Sequence, residues 1–411
     1  MTKNEQVSVK KAARGVLYLY INFIVGTVVG YLYWVIVSRM VKPEAVGLAS
    51  TTVSIATLVS TLSIFGVPVG VQRFLGKAFG NHDANAFRSH FNGALVFLIF
   101  SSGAAALILV GLSGLWVSFI GIPNSFIVIA AIMAFTTGLA TLFGVAYTAS
   151  IRTDVSLYGG VIASVARLVI GVLLISVGLE AFGIAVGYLI SSLFLLAFLA
   201  ILGIRLLRLH VSRLTFLHTK EIVQAGFVNW VPTAIATIGT HLSVIAVYGF
   251  HGPLEAGLYY ISFAMASVIS AISASVMGLA FPILSGMTDG RKRACWRAIK
   301  LALVFTVPLT ASLAAYPQVT LGFFSPEYAV ASKMLLVLLF ATVPQGLIDG
   351  VNSLAYAYGK YRLVLVMGLA ISVPRTVMYM ILTPSMGGLG AALALLSGTA
   401  IGLVAAFGVT K

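Results

Sequence analysis

Apolar residues run along the chain in long, nearly unbroken stretches, and short polar joints between them hold most of the charge. The stretches are too long for buried strands and show none of the alternation of half-buried ones. About 20 apolar residues in a helix cross the ~30 Å hydrocarbon core of a bilayer. On that measure the pattern predicts spans at 15–37, 46–70, 91–113, 123–149, 155–178, 182–204, 223–248, 256–281, 298–317, 329–356, 362–383 and 386–408. The longest polar joints, Gly70–His90 and Ile204–Ile222, leave no room for a soluble catalytic domain. The expectation is an all-α polytopic membrane protein of about 12 transmembrane helices.

Composition supports that class. Of 411 residues, 60% are hydrophobic and 9% charged, and the mean hydropathy is +1.07. Soluble domains carry about 25% charged residues. The net charge of +15 raises nucleic acid as a partner. The basic residues, however, sit in short joints and form no continuous face, so no nucleic-acid partner is expected.

Their distribution orients the chain. With twelve spans, 20 Lys and Arg fall on the side of the N-terminus, among them Lys3, Lys10, Lys11, Arg14, Arg73, Arg213 and Arg291. Three fall on the other side, Arg39, Lys42 and Lys333, and two lie within spans. Lys and Arg collect on the cytoplasmic side, which places both termini in the cytoplasm and the protein in the cytoplasmic membrane. The basic start runs into a full-length span, so the first helix is expected to be retained as an anchor. Cys295, the single cysteine, is placed in a polar joint, where it makes no internal disulfide and anchors no metal.

The sequence repeats itself at an offset of about 208 residues. Pro43-x-x-x-Gly47 after the first span returns as Pro253-x-x-x-Gly257 after the seventh, and Gly183-Ile184-Ala185 returns as Gly390-Ala391-Ala392. Ala146-Tyr147 returns as Ala355-Tyr356, and Gly160-x-x-x-Ser164-x-x-Arg167 as Gly368-x-x-x-Ser372-x-x-Arg375. Six helices per copy give both copies one orientation in the membrane. Two parallel six-helix repeats are therefore expected, an N-terminal lobe at 1–210 and a C-terminal lobe at 211–411. Solute sites commonly lie between such halves, in a central cavity.

Arg167 and Arg375 lie near the middle of their spans, where an arginine costs ~2.5–3.5 kcal/mol on the mildest scale and usually faces an interior or a wet cavity. Gly, Ser and Arg at positions 0, 4 and 7 share one helix face. Ser164 and Ser372 thus join the arginines in a polar stripe. A guanidinium binds phosphate oxygens with a planar fork, so the pair reads as two cationic posts for an anionic substrate group. The alternative is an arginine that ties helix backbones together or pairs with Asp349. Asp349 reads either as a proton- or sodium-linked carboxylate or as a polar helix end near water. Asn22 and Asn229, in matching places of the first and seventh spans, either bind sugar or act as interhelical glue. His241 and Gln345 share that ambiguity, and Arg73 reads as a side chain snorkelling to headgroups.

Catalytic patterns are missing. His82, His90, His210 and His218 lie in basic joints without carboxylate or cysteine company. Gly76-x-x-x-Gly80 is followed by no Gly-Lys-Ser/Thr. No Gly-x-Ser-x-Gly occurs, and loop carboxylates are scattered singly. The protein is expected to be no enzyme and to carry no cofactor and no metal.

The segments SRMVKPEAVGLAS and GPLEAGLYYISFAMA, with FFSPEYAVASKMLLVLL and MGGLGAALA, resemble the oligosaccharide-lipid flippases, the Wzx-type polysaccharide exporters of the multidrug/oligosaccharidyl-lipid/polysaccharide (MOP) exporter superfamily. The resemblance covers nearly the whole chain and rests on structural motifs. It implies a two-lobed transporter that moves a lipid-linked oligosaccharide outward by alternating access. Its partners would be the lipid-linked glycan and membrane lipids, with H+ or Na+ as the coupling ion and a monomer as the working form. Many relatives have 14 spans, two more than are counted here. A cation-coupled drug antiporter of the same superfamily is the first alternative, and two arginines with little acid argue against its cationic substrates. A membrane-embedded glycan polymerase is the second, and the short outer loops argue against that.

Overall fold

The computed structural model describes residues 3–209 and 218–410, without the side chains of residues 3–13, 229, 361, 409 and 410. Lys3, Lys10, Lys11, His210, Arg213 and Asn229 therefore lie, in whole or in side chain, outside the described residues. The first half comprises α1 (Lys3–Met40), α2 (Pro43–Ser63), α3 (Val67–Gly80), α4 (Ala84–Gly111), α5 (Ser113–Ile120), α6 (Asn124–Ala149), α7 (Thr153–Leu174), a π-helical turn (Ile175–Leu179) and α8 (Glu180–Leu206). The second half comprises α9 (Thr219–Gly286), α10 (Arg291–Ala315), α11 (Pro317–Gly322), a 3-10 turn (Pro326–Ala331), α12 (Ser332–Ala357) and α13 (Tyr361–Thr410). No strand occurs among the described residues.

Nine helical stretches are long and apolar enough to cross a membrane among the described residues. Thr153–Leu206, Trp230–Gly286 and Arg362–Gly408 run 54, 57 and 47 residues, about twice what a bilayer needs. Each is broken once, at Gly178 (φ 88°), Gly252 (φ 81°) or Gly387 (φ 59°). Glycine adopts this left-handed backbone at little cost. The three breaks turn nine stretches into twelve spans, so the protein is an all-α polytopic membrane protein. Large apolar side chains face outward along the spans, with Leu107 75% exposed and Val404 72%. In water that surface would be prohibitive; against acyl chains it is at rest.

Several joints differ from expectation. The second span does not run to Gly70. It ends at Ser63, the chain turns at Phe65 and Gly66, and α3 carries on to Gly80. The cause is an amphipathic repeat in which Val67, Val71, Leu75 and Ala78 are buried while Arg73 and Lys77 point away from the core. The polar joint expected at Gly70–His90 shrinks to residues 81–83, where Asp83 caps α4 by accepting from the Asn85 and Ala86 amides. Cys295 is likewise not in a loop. The basic run from Arg291 is the first two turns of α10, and its inner face buries Cys295, whose thiol donates to the Gly350 carbonyl at 3.3 Å.

Two compact units emerge, one of Met1–Tyr33 with Ile55–Ala234, the other of Trp34–Ser54 with Ile235–Lys411. In the first, the α3 face packs on Phe87 and Phe91 of α4 and on Phe143 and Tyr147 of α6. The stretch of α1 up to Tyr33 enters this unit alongside α7. Gly15 meets Thr153, Asn22 meets Gly160, Gly30 meets Arg167 and Tyr33 meets Gly171, a register of 137–138 residues held through five turns. A constant register of this kind requires the two helices to run parallel.

In the second unit the repeated loop motif packs on its own copy. A Cβ on Gly47 would collide with the Pro253 carbonyl, and one on Gly257 with the Pro43 carbonyl. Small residues allow such backbone approach between membrane helices. Nearby, Arg39 Nε donates to the Phe323 carbonyl at 2.9 Å. Glu255 accepts from the Gly388 amide at 3.0 Å, satisfying the start of the last span beyond its Gly387 break.

Candidate functional site

The polar stripe of α7 faces α1. Gly160 lets the Asn22 amide sit directly against the α7 backbone, and a Cβ there would collide with Asn22 Oδ1. Asn22 thus packs as helix-to-helix filler. Ser164 is half-buried on the same face. Arg167 ends the stripe: its Nη2 reaches over Gly30, where a Cβ would lie 3.4 Å away. The guanidinium carbon lies 4.7 Å from the Tyr188 ring centroid and 5.5 Å from that of Tyr33, with the two rings edge-on to one another at 5.6 Å. A desolvated cation over aromatic faces gains ~2 kcal/mol or more. This offsets much of the cost of an arginine at that depth.

The matching stripe in the second unit has the same backbone partner and a different wall. Ser372, Arg375 and Tyr379 of α13 all meet Gly239 of α9. A Cβ on Gly239 would lie 3.2 Å from Ser372 Oγ and 3.6 Å from Arg375 Cδ, and the Tyr379 hydroxyl donates to the Gly239 carbonyl at 3.0 Å. Arg375 is 7% exposed and lines a cavity of 190 Å³ with Thr240, Ser267, Ser270, Thr342 and Gln345. Leu395 also lines it, 207 residues after Tyr188. Where the first copy places a ring over its arginine, the second places an aliphatic side chain beside a void.

The chemistry of that void is specific. Thr240, Ser267 and Ser270 donate their hydroxyl protons to helix carbonyls one turn back, at 2.9, 2.7 and 3.4 Å. Their lone pairs are left to accept from a guest. Arg375 Nε is buried and has no hydrogen-bond partner among the described residues. The cavity therefore offers a cation's donors to an anion and hydroxyl lone pairs to an alcohol. Its volume is below the ~300–1,000 Å³ of drug-sized sites and suits one phosphate or one sugar-sized group.

Asp349 pairs with neither arginine. Among the described residues its partner is Gln345, one turn earlier on α12, whose Nε2 donates to Oδ1 at 2.9 Å. Gln345 thereby borders the Arg375 cavity and holds a carboxylate that lines a second cavity of 490 Å³ with Asn352, Ser353 and Tyr356. The helical-end reading of Asp349 does not hold, since α12 continues two turns beyond it to Ala357. His241 and Gln345 were both open polar positions in the sequence; only Gln345 reaches these cavities. The Asn229 side chain lies outside the described residues.

Three residues that sequence alone left apart also converge: His90 on α4, His218 before α9 and Glu221 on its first turn. His90 and His218 lie 128 positions apart, which hides their proximity from any spacing rule; Glu221 follows His218 by three residues, and the fold adds His90 to that pair.

The bundle of twelve spans, with one arginine buried and its repeat counterpart half-buried, has the fold of solved MOP-superfamily transporters. The lipid II flippase MurJ in an inward closed conformation superposes with a TM-score of 0.76 at 15% identity, covering 96% of this chain and 88% of the other. An inward-facing multidrug resistance transporter of the MATE family, MOP superfamily, superposes at 0.74 with 13% identity, covering 96% of both chains. A MOP superfamily transporter from Pyrococcus furiosus, whose binding pocket of reverse polarity suggests a different function, superposes at 0.61 with 13% identity over 97% and 94%. No curated protein sequence matches the chain. Residues 36–331 match the polysaccharide biosynthesis protein family, and the chain belongs to it.

Proposed function

We propose that this protein is a flippase that carries a lipid-linked oligosaccharide or polysaccharide precursor across the cytoplasmic membrane by alternating access. The observation that carries this reading is the Arg375 cavity, a buried cation beside hydroxyl acceptors inside a polysaccharide-biosynthesis family member. A glycosyl phosphate has the matching groups, an anion for the guanidinium and hydroxyl protons for Thr240, Ser267 and Ser270. Arg167 with Ser164, and Arg375 with Ser372, are the substrate-binding arginine stripes of two lobes, 1–210 and 211–411. Asn22 packs against the α7 backbone and is left out of the substrate lining, and Asn229 of the seventh span is assigned to it on the sequence repeat alone. Both termini lie in the cytoplasm, and the protein works as a monomer.

The test is transport in vesicles. A fluorescent isoprenoid-diphosphate sugar is reconstituted with the purified protein, and its appearance at the far leaflet is followed with a membrane-impermeant quencher. Protein-dependent flipping is expected. Movement of lipophilic cations without movement of the glycolipid would replace this reading with the cation-coupled antiporter, which the likeness to MATE transporters keeps as the rival.

Asp349 is the coupling carboxylate of this proposal, since its partner Gln345 borders the arginine cavity and can relay occupancy between the two. In vesicles with an imposed proton or sodium gradient, Asp349→Asn is expected to flip glycolipid at one rate with or without the gradient. A wild-type protein indifferent to both gradients removes the coupling role.

A further inference from the structure

We propose that His90, His218 and Glu221 form a binding site for a divalent transition-metal ion of the zinc, cobalt or nickel class. One ligand atom from each lies within 4.8 Å of the others. Two imidazoles and one carboxylate suit borderline metals, whereas calcium and magnesium demand shells of oxygen. Three protein ligands leave a fourth position for water.

His90 is already set for the role. Its Nδ1 donates to the Ala86 carbonyl at 2.7 Å, which leaves the Nε2 lone pair as the outward ligand. Metal-binding histidines are usually oriented this way, through a bond from the other ring nitrogen. Phe74 stacks on the ring at 5.1 Å and fixes its plane. On the other face lies the His218 ring, with centroids 4.3 Å apart and planes 18° from parallel. Parallel rings cannot aim both lone pairs at one ion, so His218 must turn about its χ2 on binding. It is the partner placed to do so, being partly exposed and just ahead of the α9 helix, with its Nδ1 3.8 Å from Glu221 Oε2. Tetrahedral zinc holds its nitrogen ligands about 3.3 Å apart, a contraction that side-chain rotation covers. Glu221, 63% exposed, closes the shell from the solvent side. The bound ion would pin the first turn of α9 to α4, where Thr219 Oγ1 already donates to the Gly93 carbonyl at 3.4 Å.

The site is tested on the full-length protein in detergent, purified without a polyhistidine tag and stripped of metal. Cobalt titration is expected to give visible d–d absorption that zinc abolishes. A hundredfold excess of zinc over its Kd is expected to raise the melting temperature by about 2–5 °C, and magnesium to leave it unmoved. His90→Ala and His218→Ala should each weaken cobalt binding at least tenfold, as should Glu221→Gln, which alters only an exposed side chain and keeps the readout if a histidine variant misfolds. His82→Asn, on a neighbouring joint outside the cluster, should bind as wild type does. Absence of cobalt absorption in the wild-type protein overturns the proposal. Undiminished binding in the His218→Ala and Glu221→Gln variants overturns it as well, since the metal would then sit elsewhere. No glycolipid enters the assay, so its failure and that of the flippase reading are separate results.

Discussion

Arg375→Met is expected to cut glycolipid flipping at least tenfold while the protein melts at the same temperature as wild type or higher. The two halves of that result have separate causes. A charge-assisted hydrogen bond to an anion contributes ~1.5–3 kcal/mol, and every ~1.4 kcal/mol is tenfold in affinity. Losing that bond from the substrate complex therefore costs one to two orders of magnitude. Stability responds the other way. Arg375 is 7% exposed, its Nε lacks a partner among the described residues, and no carboxylate pairs with it there. Replacing a buried ion by an apolar side chain of similar length is often neutral or stabilising by ~1–4 kcal/mol. Arg375→Lys keeps the charge without the planar fork and should fall between the two. Flipping assays on matched amounts of reconstituted protein, beside melting curves in detergent, give both numbers. Normal flipping by Arg375→Met would remove the phosphate-binding role, and a collapse of its melting temperature would make the arginine a structural tie.

The two arginines were equal in the sequence and are unequal in the fold. The stripe Gly-x-x-x-Ser-x-x-Arg recurs with a fixed offset, which marks both residues and the helix face they share. What it could not supply was the opposite wall. Arg167 is covered by rings from α1 and α8, Tyr33 and Tyr188. The residue 207 places after Tyr188 is Leu395, which cannot cover a cation and instead lines a void. Two rings that the repeat does not copy, Tyr33 and Tyr188, thus leave Arg167 against aromatic faces and Arg375 beside a void.

The twelve spans were legible because hydrocarbon thickness sets a length that composition must meet, whatever the packing. Features at the membrane's edge were not. The Arg291 run read as a loop because it is charged, yet its helical periodicity buries Cys295 and Ile299 under α12. The α3 helix was lost for the same reason, since Arg73 and Lys77 raise its polarity on the face that the core never sees. His90, His218 and Glu221 were illegible on different grounds. Their meeting depends on the position of α9 against α4, and no local pattern encodes a contact between segments 128 residues apart.

The repeated Pro-x-x-x-Gly loop sits between these extremes, visible as a motif and explained only by its contact. Gly47→Val is accordingly expected to be the most destabilising single change in the second unit, near the top of the ~1–3 kcal/mol range for overpacking or beyond it. The reason is what its new Cβ would meet. The neighbour is no flexible side chain but the Pro253 carbonyl and the Gly257 amide, at the start of a membrane helix that turns on Gly252. Backbone there cannot yield without separating α2 from α9, and the reciprocal approach of Gly257 to the Pro43 carbonyl would open with it. Gly76→Ala supplies the contrast. Gly76 is also helical, and nothing lies within 4 Å of where its Cβ would be. Since glycine inside a helix costs ~0.5–1 kcal/mol relative to alanine, that variant should melt at or above the wild-type temperature. Melting curves of the two variants side by side decide the matter. If Gly47→Val melts with wild type, the two loop copies do not pack backbone to backbone, and the repeat would record ancestry without contact.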